Sequence, residues 1–165
     1  PLLVLAPRHP ERFEDVAALL ERRGVSFIRR SQGAASNGRP AVFLLDTLGE
    51  LAGTYAAANI AFVGGSLVRA GGHNPIEPAL WGKPVLFGPH MENFKDLVQV
   101  LQGRGGLQVA TPEQLFKVAD ELLSRPDQLE ELGALARSSV SAIRGASARN
   151  VEHMLSILPR GKAAA

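Results

Sequence analysis

The chain of 165 residues contains no cysteine. Disulfide scaffolds and thiolate metal sites are excluded, and the redox compartment leaves no mark. Net charge is nearly absent too. Lys and Arg number 18 against 16 Asp and Glu, a formal +2, with no concentrated basic tract, so nucleic-acid binding has no electrostatic support. No apolar run reaches the roughly 18 residues of a membrane helix, and no signal peptide is visible. Neither GxGxxG nor GxxxxGK[ST] occurs, which argues against a dinucleotide-binding dehydrogenase and a P-loop NTPase. There is no internal repeat. What is present is ordinary for a soluble domain: 45% hydrophobic and 21% charged residues, in a chain long enough for one domain with a real core. It starts at Pro1, not Met, directly before an apolar run, which reads as a piece of a longer chain; Gly161 to Ala165 reads as a frayed tail.

Hydrophobic periodicity alternates between short apolar runs and helical stripes. Leu2 to Ala6 reads as a buried strand, Ser26 to Arg30 as a second and Ala41 to Leu45 as a third. Ile60 to Val63 and Pro84 to Phe87 follow, with Leu107 to Ala110 as a short edge strand. Helices are predicted over Phe13 to Arg23, stopped at Gly24, and over Leu48 to about Ala58, capped by Asp46 or Thr47. Further helices are predicted over Asn93 to Leu101, Pro112 to Ser124, Pro126 to about Ile143 and Ala146 to Leu158. Ser31 to Pro40 is a polar loop. Strands alternating with helices imply a doubly wound, Rossmann-like parallel α/β sheet with right-handed crossovers.

The most informative stretch runs from Phe62 to His90. It reads as strand, glycine-rich turn, helix start, strand and turn. Glycines let a backbone approach a ligand, a helix N-terminus suits an anion, and open α/β sheets bind nucleotides at the carboxyl ends of their strands. Asn74 and Glu77 stand at i, i+3 after Gly71-Gly72. Two readings fit them: a capping box with Asn74 as N-cap, or a pair that holds a ligand's hydroxyls. Arg8 follows the first strand, where a guanidinium forks onto phosphate or pairs with Glu11 or Asp15 on the surface. Asp46-Thr47-Leu48-Gly49-Glu50 repeats the pattern after the third strand, with Gly49 giving a flat group access to the backbone and Glu50 open to a capping role. His9, His73, His90 and His153 lack metal-ligand spacing beyond the pair His73 and Glu77. Ser66 is not in GxSxG, so a nucleophile elbow is not supported. Trp81 reads as helix packing against the sheet.

Pro7-Arg8-His9-Pro10-Glu11-Arg12, Asp46-Thr47 with Gly49-Glu50, Gly64-Gly65-Ser66, Gly71-Gly72-His73-Asn74-Pro75 with Glu77-Pro78, and Lys83 to His90 come in one order. Together they resemble the C-terminal domain of the bacterial 3-deoxy-D-manno-octulosonic acid (Kdo) transferases, from Leu2 to about Leu158. The resemblance implies the C-terminal half of a glycosyltransferase B architecture, with a donor-binding domain over 1–158 and a disordered tail over 159–165. It implies CMP-Kdo as donor and a lipid A precursor as acceptor of the whole enzyme. It also implies inverting transfer in lipopolysaccharide synthesis, at the cytoplasmic face of the bacterial inner membrane, with no cofactor or metal.

By the same resemblance, Arg8 meets the CMP phosphate, and Pro7 beside it belongs to the CMP-Kdo site. Leu48, Gly49 and Glu50 lie against the cytidine, with Leu48 where the family often has Met. Asn74 and Glu77 hold the nucleotide sugar, Gly64, Gly65, Gly71 and Gly72 shape the floor, and Ser66 is placed among the residues that bind CMP-Kdo. The catalytic base belongs to an N-terminal domain that these residues do not include, so no catalytic residue is assigned and the piece alone is expected to be inactive. Two other readings stay open: a UDP-sugar transferase or epimerase domain, and a non-catalytic α/β interaction domain whose glycines only make tight turns.

Overall fold

The computed structural model describes residues 1–33 and 39–143. The chain divides into two compact units, Pro1–Ala56 and Ala57–Ala165. The helix predicted over Ala146 to Leu158 and the tail lie outside the described residues.

The first unit is a parallel sheet of β1 (Leu3–Leu5), β2 (Phe27–Arg29) and β3 (Val42–Leu44), in the order β1-β3-β2. Helix α1 (Phe13–Arg22) connects the two outer strands. It ends in a Schellman arrangement, in which Val25 N–H donates to Leu20 O and Gly24 N–H to Glu21 O. The middle strand is the best covered, with Val42, Leu44 and the following Leu45 all buried. Leu2 and Leu3, read above as part of a buried strand, are instead 54% and 56% exposed. Their strand is an edge of its sheet among the described residues, and an apolar run carries no signal of whether a neighbour covers it. After β3 the predicted long helix is short: α2 (Leu51–Thr54) and one 3-10 turn, Tyr55–Ala57.

The second unit holds β4 (Ala61–Val63), β5 (Val85–Phe87) and β6 (Gly106–Gln108), parallel and in that order. Among the described residues four α-helices accompany them: α3 (Ile76–Leu80), α4 (Lys95–Leu101), α5 (Pro112–Leu123) and α6 (Pro126–Ile143). Alternate side chains of a strand point to opposite faces, and β5 shows it. Val85 and Phe87 join a cluster with Ala79, Leu101, Ala136 and Val140 from α3, α4 and α6. Leu86 joins Val109 and Leu122, with Leu115 and Val118 of α5 against them. Helices therefore cover both faces, and the three residues of β5 are fully buried, as a doubly wound parallel α/β sheet requires. Thr111 caps α5 by accepting from Gln114 N–H at 3.2 Å. Trp81 does not pack into this core; it ends α3 with 49% of its surface exposed.

Candidate functional site

In the first unit, β1 leads into Pro7 and Arg8, with Arg8 exposed, while Glu11 stands 3.7 Å from His9 Nδ1. β3 leads into the loop 46–50. Asp46 does not cap the helix that follows. Its carboxylate is buried and turned to the exit of β2: Oδ1 accepts from Ser31 N–H at 2.8 Å, and Oδ2 accepts from the Ser31 hydroxyl and from Arg29 Nε, both at 2.6 Å. The other end of Arg29 forks onto Glu14 of α1, with Nη1 at 2.9 Å from Oε2 and Nη2 on Oε1. Glu14 and Asp46 raise the Arg29 pKa, mainly by accepting its hydrogen bonds. Gly49 turns the loop in the left-handed region, at φ +83°, which ends the predicted helix before it starts. Leu48 at the tip is 71% exposed, and the buried Thr47 Oγ1 has no hydrogen-bond partner among the described residues. Glu50 is held twice. Its carbonyl accepts from Thr54 N–H and Oγ1 at 3.1 and 2.9 Å, and its Oε2 accepts from Arg30 Nε at 2.7 Å. That bond lowers the Glu50 pKa.

In the second unit, Gly64-Gly65-Ser66 follow β4. The Ser66 side chain is fully buried and engaged by backbone: its hydroxyl donates to Val63 O and accepts from Gly88 N–H at 2.8 Å. Ser66 O accepts from His90 N–H at 2.9 Å, and Gly65 O from Gly72 N–H at 3.1 Å. The glycine loop is thus tied to the exit of β5, and the backbone of Gly64 and Gly65 remains half-exposed. The ring of His73 lies beneath it, since a Cβ added at Gly65 would sit 3.5 Å from His73 Cε1. The capping box does not form: the residue at the start of α3 is Pro75, with no side-chain cap bond, and Asn74 makes an Asx turn instead. Asn74 Oδ1 accepts from Ile76 N–H at 3.0 Å, and Glu77 does not reach back. Glu77 is half-buried, and its carboxylate makes no hydrogen bond or ion pair with any described residue.

The helices behind both loops have only 4 and 5 residues. A macrodipole needs more aligned peptide units than that to act strongly, so the positive field expected of these helix starts is small. Sequence reasoning singled out Arg8, Asn74 and Glu77, but missed Arg29, Arg30 and Ser31, whose signal was two arginines and a hydroxyl at a strand's carboxyl end. Among the described residues no group of three His, Asp or Glu is placed to hold a metal ion, and no helix is long and apolar enough to cross a membrane.

No family model matches the chain. It is 41% identical over 161 residues to a 3-deoxy-D-manno-octulosonic acid transferase of Haemophilus influenzae, an alignment of 96% of this chain and 38% of the relative. To the transferase of the same name from Bordetella pertussis it is 40% identical over 154 residues, 92% of this chain and 36% of the relative. The chain thus spans less than two fifths of either relative's length. Among solved structures it is similar to the C-terminal CMP-Kdo binding domain of WaaA from Acinetobacter baumannii. The TM-score is 0.78 and the identity 33%, over 83% of this chain and 72% of that one. Long alignments at such identity, joined to one fold, leave a single assignment: the chain belongs to the 3-deoxy-D-manno-octulosonic acid transferase family.

Proposed function

We propose that this chain, over residues 1–158, is the donor-binding domain of a Kdo transferase, the C-terminal half of a glycosyltransferase B architecture, and that it binds CMP-Kdo. The observation that carries the reading is the likeness to a solved CMP-Kdo binding domain at 33% identity and a TM-score of 0.78. The local geometry supports it. Glu77 is a half-buried carboxylate with no partner among the described residues, and it stands ready to accept from sugar or ribose hydroxyls. Asn74 is exposed beside it. Gly64 and Gly65 offer backbone to the ligand, while Ser66 braces them from below. In the first unit, Arg8, with Pro7 beside it, serves the phosphate, and Leu48, Gly49 and Glu50 serve the cytidine.

In the whole enzyme a carboxylate of the N-terminal domain would activate the acceptor hydroxyl of a lipid A precursor. That oxygen attacks the anomeric carbon of Kdo as CMP departs, with inversion, through an oxocarbenium-like transition state. The share of this domain is to orient the donor and to place the Arg8 guanidinium against charge growing on the departing phosphate. The parent enzyme works at the cytoplasmic face of the bacterial inner membrane, and this domain alone transfers nothing.

Isothermal titration of the chain with CMP tests the reading. We expect weak but measurable binding, because the wall that the N-terminal domain would add to the cleft is missing. Arg8→Ala and Glu77→Ala should each weaken the affinity by about 1–3 kcal/mol, the cost of losing a charged hydrogen bond. An affinity unchanged in either variant removes that residue from the site. Heat with UDP-sugars and none with CMP defeats the donor assignment.

A further inference from the structure

We propose that Arg30 is a positioning residue for the nucleotide-binding loop 46–50: through its hydrogen bond to Glu50 it sets the direction of the carboxylate and holds the loop's far end. This rests on the reading of Leu48, Gly49 and Glu50 as donor-binding residues. The exit of β2 grips both ends of that loop with three consecutive residues. Arg29 and Ser31 lock the near end by three hydrogen bonds to Asp46. Arg30 lies between these two locked neighbours, and its Nε meets Glu50 Oε2 at 2.7 Å. Between the grips, Gly49 bends the chain and Leu48 stands 71% exposed at the tip. Exposing a leucine on a loop fixed at both ends gains nothing for the fold, but it presents an apolar contact in a fixed place.

The Arg30–Glu50 pair is itself open to water, with side-chain exposures of 47% and 42%. Pairs this exposed add little to stability, so its consequence lies in geometry. A carboxylate has about four lone-pair positions, and one bond from Arg30 leaves acceptor sites for a ribose diol. The bond from Arg30 favours one direction of the Glu50 carboxylate, so a ligand has less side-chain freedom to remove on binding.

A double-mutant cycle on CMP affinity separates positioning from direct contact. Arg30→Ala should weaken CMP binding about three- to tenfold with an unchanged melting temperature. In a Glu50→Ala background it should cost nothing further. Hydrogen exchange of the ligand-free Arg30→Ala variant should be faster at the amides of Gly49 and Glu50. Additive losses in the cycle overturn the proposal, because Arg30 would then touch the ligand itself. So does full affinity in Arg30→Ala while Glu50→Ala is impaired, an outcome that leaves the donor-binding reading standing. If the unaltered chain takes up no CMP, or Glu50→Ala binds it normally, the loop is not a nucleotide site and both fall.

Discussion

Gly88→Ala lowers the unfolding free energy by about 3–5 kcal/mol and weakens the proposed binding of the donor. A Cβ at this position would lie 2.2 Å from Ser66 O, 2.4 Å from Ser66 C and 2.6 Å from Leu67 N. All three are backbone atoms, so no rotamer change relieves the clash, and one of two strand exits must move. That movement pulls apart the buried bond from Gly88 N–H to Ser66 Oγ at 2.8 Å and the neighbouring bond from His90 N–H to Ser66 O at 2.9 Å. Overpacking costs about 1–3 kcal/mol and each lost hydrogen bond about 1 kcal/mol. Gly64 and Gly65 precede Ser66 in the same loop, so a shifted Ser66 carries the proposed ligand floor with it. Gly53→Ala is the control: its Cβ meets nothing within 4 Å, and in a helix alanine is favoured over glycine by up to about 1 kcal/mol. Urea unfolding of both variants measures the difference. A Gly88→Ala protein within about 0.5 kcal/mol of the parent, the range of ordinary surface changes, would show that the two loops are not locked together.

This contrast also marks what could be read in the chain beforehand. Gly88 is legible as a turn glycine between Phe87 and Pro89, and Ser66 as a residue after Gly64-Gly65. The bond between them joins positions 22 apart, and no local pattern encodes it. The same holds for Arg29 and Asp46, 17 apart. Asp46 before a helix is a good cap by local rules, yet a long-range guanidinium and a serine outcompete that role. Periodicity identified the strands and the helices of the described residues to within a few residues, because alternation and helical stripes are local. It failed where coverage decides, at Leu2 and Leu3, and where one glycine decides, at Gly49. The site residues were legible by placement after strand ends. That Glu77 is unpartnered while Glu50 is held by Arg30 needed the folded chain, since both stand in a capping context in the sequence.

Asp46 makes part of the stability of the first unit pH-dependent, and Asp46→Asn isolates that part. Burial pushes the Asp46 pKa up, but the Ser31 hydroxyl and amide and the Arg29 guanidinium outweigh it and hold the group at about 2, below its ordinary 3.8. The folded value lies below the unfolded one, so the ionised carboxylate stabilises the fold. Its contribution is complete above about pH 4 and is lost as pH falls toward about 2. The interval between the two values corresponds to about 2 kcal/mol. Asparagine has nearly the same shape but only one oxygen. With its amide nitrogen at the Oδ2 position it would point hydrogens at Arg29 Nε; with the nitrogen at Oδ1 it would point them at Ser31 N–H. Either orientation sets donor against donor and leaves Arg29 short of a charge partner, at a cost of about 3 kcal/mol at neutral pH. Glu14, Glu50, Glu92 and Glu113 also have lowered pKa values, so the acid limb of the parent protein sums several groups. The difference between parent and Asp46→Asn cancels the terms of Glu50, Glu92 and Glu113, while Glu14, which shares Arg29 with Asp46, stays coupled to it. Urea unfolding of the two proteins from neutral pH down to about pH 3 should show that difference shrinking with acid, as the parent starts to lose what the variant already lacks. A difference that stays constant across the range would mean that Asp46 holds Arg29 and Ser31 by shape, not by charge.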